Sequence, residues 1–140
     1  MNQREMCMYL GRVRNLARKE LKLRRHIEEL RYSLLPSGIR YDKDKVQTSP
    51  MDQMLEVLSE IDRYERERLK VVKALIDIRS IIARKVIVLP EKEYYVLSQY
   101  YLHLRTIKDV SKDLQITERH AFRLKNNGIS ILCKLEENNV

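Results

Sequence analysis

The residues of this chain best suited to chemistry are polar side chains near its C-terminal end. Arg119, His120 and Arg123 follow Thr117 closely enough to share the exposed side of one helix. Such side chains can donate hydrogen bonds to base edges and to phosphate oxygens in the major groove of DNA. The candidate DNA-contacting residues are Thr106, Thr117, Glu118, Arg119, His120, Arg123, Lys125 and Asn127.

Two short helices joined by a tight turn are predicted to carry these residues. Thr106 stands where a helix N-cap belongs, and apolar positions at helical spacing continue to about Leu114. Gln115 and Ile116 then form the turn, and the Thr117 hydroxyl can cap the second helix. The inward side of that helix is predicted to be Ala121, Leu124, Gly128 and Leu132. The alternative is an ordinary helical hairpin with a solvated polar face.

The other reactive residue types do not form a catalytic or metal-binding pattern. His26, His103 and His120 are scattered, no Gly-rich phosphate loop occurs, and no Ser or Cys has the neighbours of a nucleophile. Cys7 and Cys133 are too few for a disulfide framework, and neither has zinc-ligand spacing. We expect no enzyme activity, no cofactor and no metal, and the two thiols suit a reducing cytosol.

Composition limits the fold class and the partners. Only three Gly and three Pro in 140 residues leave little material for hairpins, so the fold class is predicted to be all-α. The 28 Lys and Arg exceed the 20 Asp and Glu, giving a net charge of +8, which predicts an acidic polyelectrolyte partner or an acidic surface. No stretch approaches the roughly 20 apolar residues that cross a bilayer, so we expect neither export nor membrane insertion.

The N-terminal part is predicted to be one long helix from about residue 2 to residue 34. Its apolar seam, with one doubled step at Glu20, is Tyr9, Val13, Leu16, Leu23, Ile27, Leu30 and Leu34. Residues 1–35 hold nine basic and four acidic side chains, so +5 of the +8 lies here. Arg18, Arg24 and Arg25 are possible phosphate or partner contacts, although a solvated arginine face is an equal alternative.

A second long helix is predicted from about Met51 to Val86 or Val88, after a polar connector at residues 36–50. Ser49 can cap this helix, with Pro50 at its first position, and the connector residues Asp42 and Asp44 are predicted to be solvated rather than metal-binding. The predicted apolar stripe is Met54, Leu58, Ile61, Leu69, Val72, Leu75, Ile76, Ile82 and Val86. The residues that interrupt a strict heptad are Asp62, Glu65, Arg68 and Arg79. We expect this helix to pack back on the first, and leave a dimer through part of the hairpin open.

A further helix is predicted to open at Pro90 and to form the floor beneath the two short helices. Two tyrosine pairs follow, at residues 94–95 and 100–101. They could stack on the bases of single strands, but we favour core and rim packing because alternate members of each pair face inward on a helix.

The C-terminal third resembles region four of bacterial sigma factors, the helical module that binds the promoter −35 element. The matching positions are Leu89, Pro90, Glu91, Glu93, Val96, Leu97, Tyr100, Tyr101, Leu102, Thr106, Ile107, Lys108, Asp109, Val110, Ser111, Leu114, Ile116, Thr117, Ala121 and Leu124. The chain departs from the family at Ser111, where Ala is usual, and at Gln115 and Leu104, where Gly is common. Gln115 must accept a left-handed backbone if the turn is kept.

Over its whole length the chain is similar to RinA-like and ArpU-like phage regulators of late transcription. This resemblance implies a double-stranded DNA-binding regulator, partnership with bacterial RNA polymerase or a sigma factor, and a location in the cytoplasm of the bacterial host. We expect residues 1–88 to form a helical hairpin for oligomerisation or partner contact, and residues 89–140 to bind DNA. Removing residues 1–50 is then predicted to weaken DNA binding without abolishing it. The alternatives are a small terminase-like subunit for phage DNA packaging, and a coiled-coil adaptor with a degenerate helix-turn-helix.

Overall fold

The structure, a computed structural model, describes residues 1–35 and 49–138 and is all-helical over these residues, with no strand. The all-α prediction is therefore confirmed for them. The predicted solvation of Asp42 and Asp44 lies outside the described residues. The helices are α1 (Gln3–Leu10), α2 (Arg12–Ser33), α3 (Pro50–Val86), α4 (Glu91–Leu97), a π-helical turn (Ser98–Leu102), α5 (Ile107–Leu114) and α6 (Glu118–Asn138).

The N-terminal part is two helices, so the prediction of one long helix is wrong at a single residue. Gly11 ends α1, and its N–H donates to the carbonyls of Cys7 and Tyr9 in a tightened last turn. A Cβ at Gly11 would lie 3.2 Å from the Cys7 carbonyl oxygen, so the tight turn favours glycine. The side chains of the predicted seam are otherwise buried or half-buried as expected.

Helix α3 begins as predicted, but its buried side is shifted. The Asp52 N–H donates to the Ser49 hydroxyl at 3.1 Å, which confirms the cap, and Pro50 is the first helical residue. The predicted stripe is wrong at four positions, because these side chains are exposed: Met54, Leu58, Leu69 and Ile76. The side with the lowest exposure instead follows steps of three and four through Ile61, Tyr64, Arg68, Val71, Leu75, Ile78 and Ile82.

The chain divides into two compact units, Met1–Leu16 with Leu75–Val140 and Ala17–Ala74. This division differs from the predicted one at residue 88, because the N-terminal helix contributes to the C-terminal core. Met6, Leu10 and Val13 are fully buried in one cluster with Ile129 and Leu132 of α6. Burial of each such side chain contributes about 1.5 to 3 kcal/mol to stability. Helix α1 therefore helps to hold α6 in place.

The Ala17–Ala74 unit consists of parts of α2 and α3 joined by side-chain contacts. Ile27, Ile61 and Val71 are its buried apolar residues. Arg31 Nη2 lies 2.7 Å from Glu65 Oε1, and Lys19 Nζ lies 3.7 Å from Glu67 Oε1. Exposed pairs of this kind contribute only tenths of a kcal/mol to about 1 kcal/mol each, so the apolar contacts supply most of the stability.

Across residues 1–35 and 49–138, none of the helices combines the length and the apolar character that a membrane crossing requires.

Candidate nucleic-acid interface

Helix α5 is fixed at its start by the residue predicted to cap it. Thr106 has extended backbone angles, and its hydroxyl accepts the Asp109 N–H at 3.2 Å. Ile107 and Val110 then bury their side chains in a cluster with Val96 of α4. The Thr106 hydroxyl is thus occupied as an acceptor, and its role in this structure is to cap α5.

The turn between α5 and α6 has the left-handed residue that the sequence requires. Gln115 has φ 56° and ψ 43° and ends α5, and its N–H donates to the Lys112 carbonyl at 3.2 Å. Ile116 is half-buried against the cluster of Val96 and Val110. The Thr117 hydroxyl accepts the His120 N–H at 3.1 Å, which confirms it as the cap of α6.

The inward side of α6 is the predicted one. Ala121, Leu124, Gly128 and Leu132 are all buried. A Cβ at Gly128 would lie 2.8 Å from Leu97 Cδ1, so any larger residue there would require the Leu97 side chain to shift. One side of α6 is thus buried in the core, and the opposite side is exposed and can face a partner.

The exposed side of the first two turns of α6 brings together four of the predicted residues, which we call the α6 reading surface: Thr117, Arg119, His120 and Arg123. With Ile116 they line a shallow surface depression of about 490 Å³. Arg119 and Arg123 are exposed, and within residues 1–35 and 49–138 neither forms an ion pair. Glu118 is exposed beside them in the first turn. Unpaired guanidinium groups on an open surface can bind a polyanion without first breaking an internal ion pair.

Two other predicted DNA-contacting residues, Lys125 and Asn127, make contacts within the protein. Lys125 is half-buried, with Nζ 4.6 Å from the centre of the Tyr100 ring and 5.5 Å from that of Phe122. Asn127 Nδ2 donates to Glu93 Oε1 of α4 at 3.0 Å. The sequence placed both on a helix that could face DNA, but it could not show that tyrosine rings and a glutamate would occupy them.

A three-residue network braces α5 on the helix that precedes it. Tyr95 of α4 donates its hydroxyl to Asp113 Oδ2 at 3.0 Å, and the Arg105 guanidinium binds the same oxygen. The hydrogen bond from Arg105, followed by that from Tyr95, lowers the pKa of Asp113 below its usual value. Arg105 also donates to Gln99 Oε1 at 3.1 Å. The segment before α5 is thereby linked to both α4 and α5.

Arginines from α2 and α3 satisfy carbonyl groups in the π-helical turn before α5. Arg14 Nη2 donates to the Tyr100 carbonyl at 3.2 Å, and Arg79 Nη2 donates to the Leu102 carbonyl at 2.6 Å. Carbonyls at a helix end lack intrahelical partners, so these guanidinium groups act as caps. His103 ends the turn, and Leu104 follows with φ 57°.

The tyrosine pairs take part in packing, as predicted. Tyr101 is buried, and its ring meets that of Tyr100 edge to face at 4.8 Å. Burial is the main cause that raises the pKa of the Tyr101 hydroxyl. Tyr100 also lies beneath the Arg14 guanidinium at 4.9 Å. The Tyr100 and Tyr101 rings thus contact neighbouring side chains, whereas Tyr94 is exposed.

The three arginines singled out on the N-terminal helix differ in their surroundings. Arg18 and Arg25 are exposed, without an ion pair among the described residues, whereas Arg24 Nη2 lies 3.4 Å from Glu20 Oε2. Two more exposed basic residues, Lys108 and Lys112, stand one turn apart on α5. They were not among the predicted contacts, and their spacing of four residues on the polar side of α5 was the signal that could have identified them.

The remaining chemically active side chains lie apart. His26 meets the Tyr64 ring edge to face at 4.6 Å and is not beside another histidine. In the part of the chain that the structure describes, no three His, Cys, Asp or Glu residues are grouped so as to hold a metal ion. The α6 reading surface contains two exposed arginines, Arg119 and Arg123, that have no ion-pair partner among the described residues. Comparison with protein-family models, with curated proteins and with solved structures gives no match.

Proposed function

We propose that this chain is a sequence-specific, double-stranded DNA-binding transcription regulator that reads DNA with the α6 reading surface. The observation that carries the proposal is the pair of exposed guanidinium groups of Arg119 and Arg123 beside His120, on the first two turns of a helix whose other side is buried. Neither group has an ion-pair partner among the described residues. A helix presented in this way fits the major groove, with its N-terminal residues at the base edges. The net charge of +8 favours the same polyanionic partner.

In this proposal α5, its turn and α6 form a helix-turn-helix of the kind found in sigma region four. The left-handed residues support it, because Leu104 and Gln115 are the two non-glycine residues with positive φ among those described. These are the two positions at which the resembling family commonly has glycine. Ser111, where that family usually has alanine, is buried and donates its hydroxyl to the Lys108 carbonyl at 2.7 Å. The three departures from the family pattern, at Leu104, Ser111 and Gln115, are therefore compatible with the proposed helix-turn-helix.

We further propose that α2 and α3 form an antiparallel hairpin, and that the protein regulates phage late genes with host RNA polymerase. The hairpin is supported by the ion pairs between the two helices in the Ala17–Ala74 unit. The phage role and the polymerase partnership rest on the resemblance to late-transcription regulators. By the same resemblance, the protein would act beside a sigma factor or in place of the fourth region of one.

The test is selection of a binding sequence from random duplexes with the full-length protein. We expect one enriched motif, bound at least about 10³-fold more tightly than unrelated duplex at the same salt concentration. An Arg119→Ala/Arg123→Ala variant should still bind unrelated duplex but should lose its preference for the selected motif. Lys134→Ala, an exposed lysine near the other end of α6, is the matched control. Failure to enrich any motif would reject sequence-specific reading.

The transcriptional part has a separate test. A promoter that contains the selected motif should be transcribed more when the protein is added to host holoenzyme, and not with core polymerase alone. Motif binding without any effect on transcription would leave DNA recognition standing and reject the regulatory role. A large closed ring in a mass measurement would instead favour the packaging alternative.

A further inference from the structure

A pocket of about 340 Å³ lies where α1, α6 and the end of α3 meet. Its apolar lining is Met6, Val88, Leu132 and Leu135, and the polar residues around it are Arg84, Lys85 and Glu136. Ile87 and Val88, which directly follow α3, have exposed fractions of 68% and 63%. Exposed apolar side chains beside a pocket can seat an apolar partner surface, and this site lies in the Met1–Leu16 and Leu75–Val140 unit.

The charge around this pocket is positive. Glu136 is compensated, because Lys85 Nζ lies 2.8 Å and the N-terminal amine 3.6 Å from its carboxylate. The Lys85 hydrogen bond holds the pKa of Glu136 below its usual value. Arg84 binds only the Ser80 carbonyl of its own helix, at 3.4 Å, and has no carboxylate partner among the described residues. An occupant should therefore combine apolar side chains with carboxylates.

The chain itself contains a helical segment of this chemistry, at residues 51–60 in the Ala17–Ala74 unit. Met51, Leu55 and Leu58 succeed one another at steps of four and three, and have exposed fractions of 65%, 57% and 46%. Asp52, Glu56 and Glu60 form an exposed row beside them at steps of four. Residues 51–60 contain no Lys, Arg or His, in a chain whose net charge is +8. The segment therefore has an exposed apolar face with a row of carboxylates alongside it.

We propose that residues 51–60 of one copy dock on this pocket in a second copy of the chain. The face of Met51, Leu55 and Leu58 packs on the apolar lining, as an amphipathic helix packs in a groove. The acidic row lies beside Arg84. Residues 51–60 and Arg84 belong to the same continuous helix α3, and a helix cannot fold back on itself, so a second copy supplies the segment. Reciprocal use of both sites closes a two-fold dimer.

Charge reversal tests this contact with the full-length protein. Sedimentation velocity over a concentration series at low salt should show self-association of the wild type. Arg84→Glu removes the net positive charge of the pocket and places a carboxylate at position 84, and Glu56→Lys/Glu60→Lys makes the segment basic, so each variant should dissociate at a concentration at least about tenfold higher. Mixing the two variants should restore association, because the carboxylate at position 84 of one matches the basic segment of the other.

Matched controls separate the docking contact from a general effect of charge. Lys70→Glu reverses an exposed charge on α3, and Glu28→Lys/Glu29→Lys reverses two exposed carboxylates on α2. Both should self-associate as the wild type does. Circular dichroism at the same concentrations should show equal helix content in all variants, so that loss of association is not loss of folding.

A photo-reactive residue at position 88 identifies what occupies the pocket. In a mixture of isotopically light and heavy protein, we expect cross-links from position 88 of one copy to residues 51–60 of the other. Three results would each overturn the proposal: a monomer at every concentration, controls as disruptive as the test variants, or cross-links confined to a single chain. The contact does not depend on DNA binding, so its failure would leave the proposed function standing.

Discussion

Glu20 of α2 and Arg68 of α3 form an ion pair on the inward sides of their helices, with Arg68 Nε 3.0 Å from Glu20 Oε1. Glu20 is the better shielded partner, since 14% of its side chain is exposed against 33% for Arg68. Both residues occupy positions that an apolar seam would otherwise fill. Arg24 lies 3.4 Å from the second oxygen of the same carboxylate, so Glu20 has two cationic neighbours.

The first prediction concerns this pair. Glu20→Leu leaves the partly buried Arg68 guanidinium with only the more distant Glu65 carboxylate, 3.8 Å from its Nη1, and should lower the free energy of unfolding by about 1 to 3 kcal/mol. Adding Arg68→Leu should recover most of the loss, because two leucines continue the apolar seam. Urea unfolding of the two single variants and the double variant measures both effects. Asp62→Ala, which removes the exposed pair with Arg66, is the control and should change stability little. Equal stability of Glu20→Leu and wild type would contradict the prediction.

This pair also shows where sequence reasoning succeeds and fails. The periodicity of the N-terminal helix has a doubled step at Glu20, and Arg68 looked like an interruption of the second helix. Neither interruption is explained by the sequence of its own helix, but the two residues form an ion pair with each other. A single sequence shows which positions break an apolar pattern but not which breaks meet in space, because that is decided by packing between helices.

Local signals were more reliable, because their physical causes lie within a few residues. The caps at Ser49, Thr106 and Thr117 and the left-handed residue at Gln115 follow from side-chain chemistry and turn geometry. The burial pattern along α3 depends on contacts with other helices, and its prediction was wrong at Met54, Leu58, Leu69 and Ile76 for that reason. The same cause undermines the expected tolerance to loss of residues 1–50, since that truncation removes Met6, Leu10 and Val13 from the core of α6.

The second prediction concerns backbone strain at the turn. Gln115→Gly should raise the free energy of unfolding by up to about 1 kcal/mol, because glycine adopts the left-handed conformation without a Cβ clash. Gln115→Val should lower it by about 1 to 2 kcal/mol, since a β-branched side chain tolerates positive φ poorly. Lys112→Gly, in the interior of α5, is the control and should cost about 1 kcal/mol. Thermal and urea unfolding would refute the strain argument if Gln115→Gly were as destabilising as Lys112→Gly.

The third prediction is a pH dependence at the brace of α5. The folded-state pKa of Asp113 is lowered by Arg105 and Tyr95, so the unfolded state binds more protons as the pH falls. The stabilisation is therefore fully present above the unfolded pKa of about 4 and is lost as the pH falls through the folded value. Asp113→Asn should remove this contribution, so that the stability difference from wild type shrinks below about pH 4. A difference that stays constant across that range would show that Asp113 does not gain from its partners.

The fourth prediction separates reading from positioning at the proposed interface. Arg123→Ala should cost about 1 to 3 kcal/mol on the selected sequence and much less on random duplex, because base contacts specify and phosphate contacts position. Asn127→Ala is the informative control, since Asn127 is held by Glu93 and should leave the preference for the selected sequence unchanged. Quantitative binding assays at one salt concentration compare the two duplexes. Equal losses on both DNAs in Arg123→Ala would remove Arg123 from base readout.

The last prediction asks whether the basic helix α2 touches DNA. Each phosphate contact contributes close to one unit to the slope of log affinity against log salt. Arg18 and Arg25 are exposed without an ion pair among the described residues, so Arg18→Gln/Arg25→Gln should flatten the slope by about two units. Arg24→Gln should flatten it less, because Glu20 already compensates Arg24 at 3.4 Å. An unchanged slope in the double variant, with motif affinity intact, would assign α2 to structural or protein contacts and confine DNA binding to other surfaces.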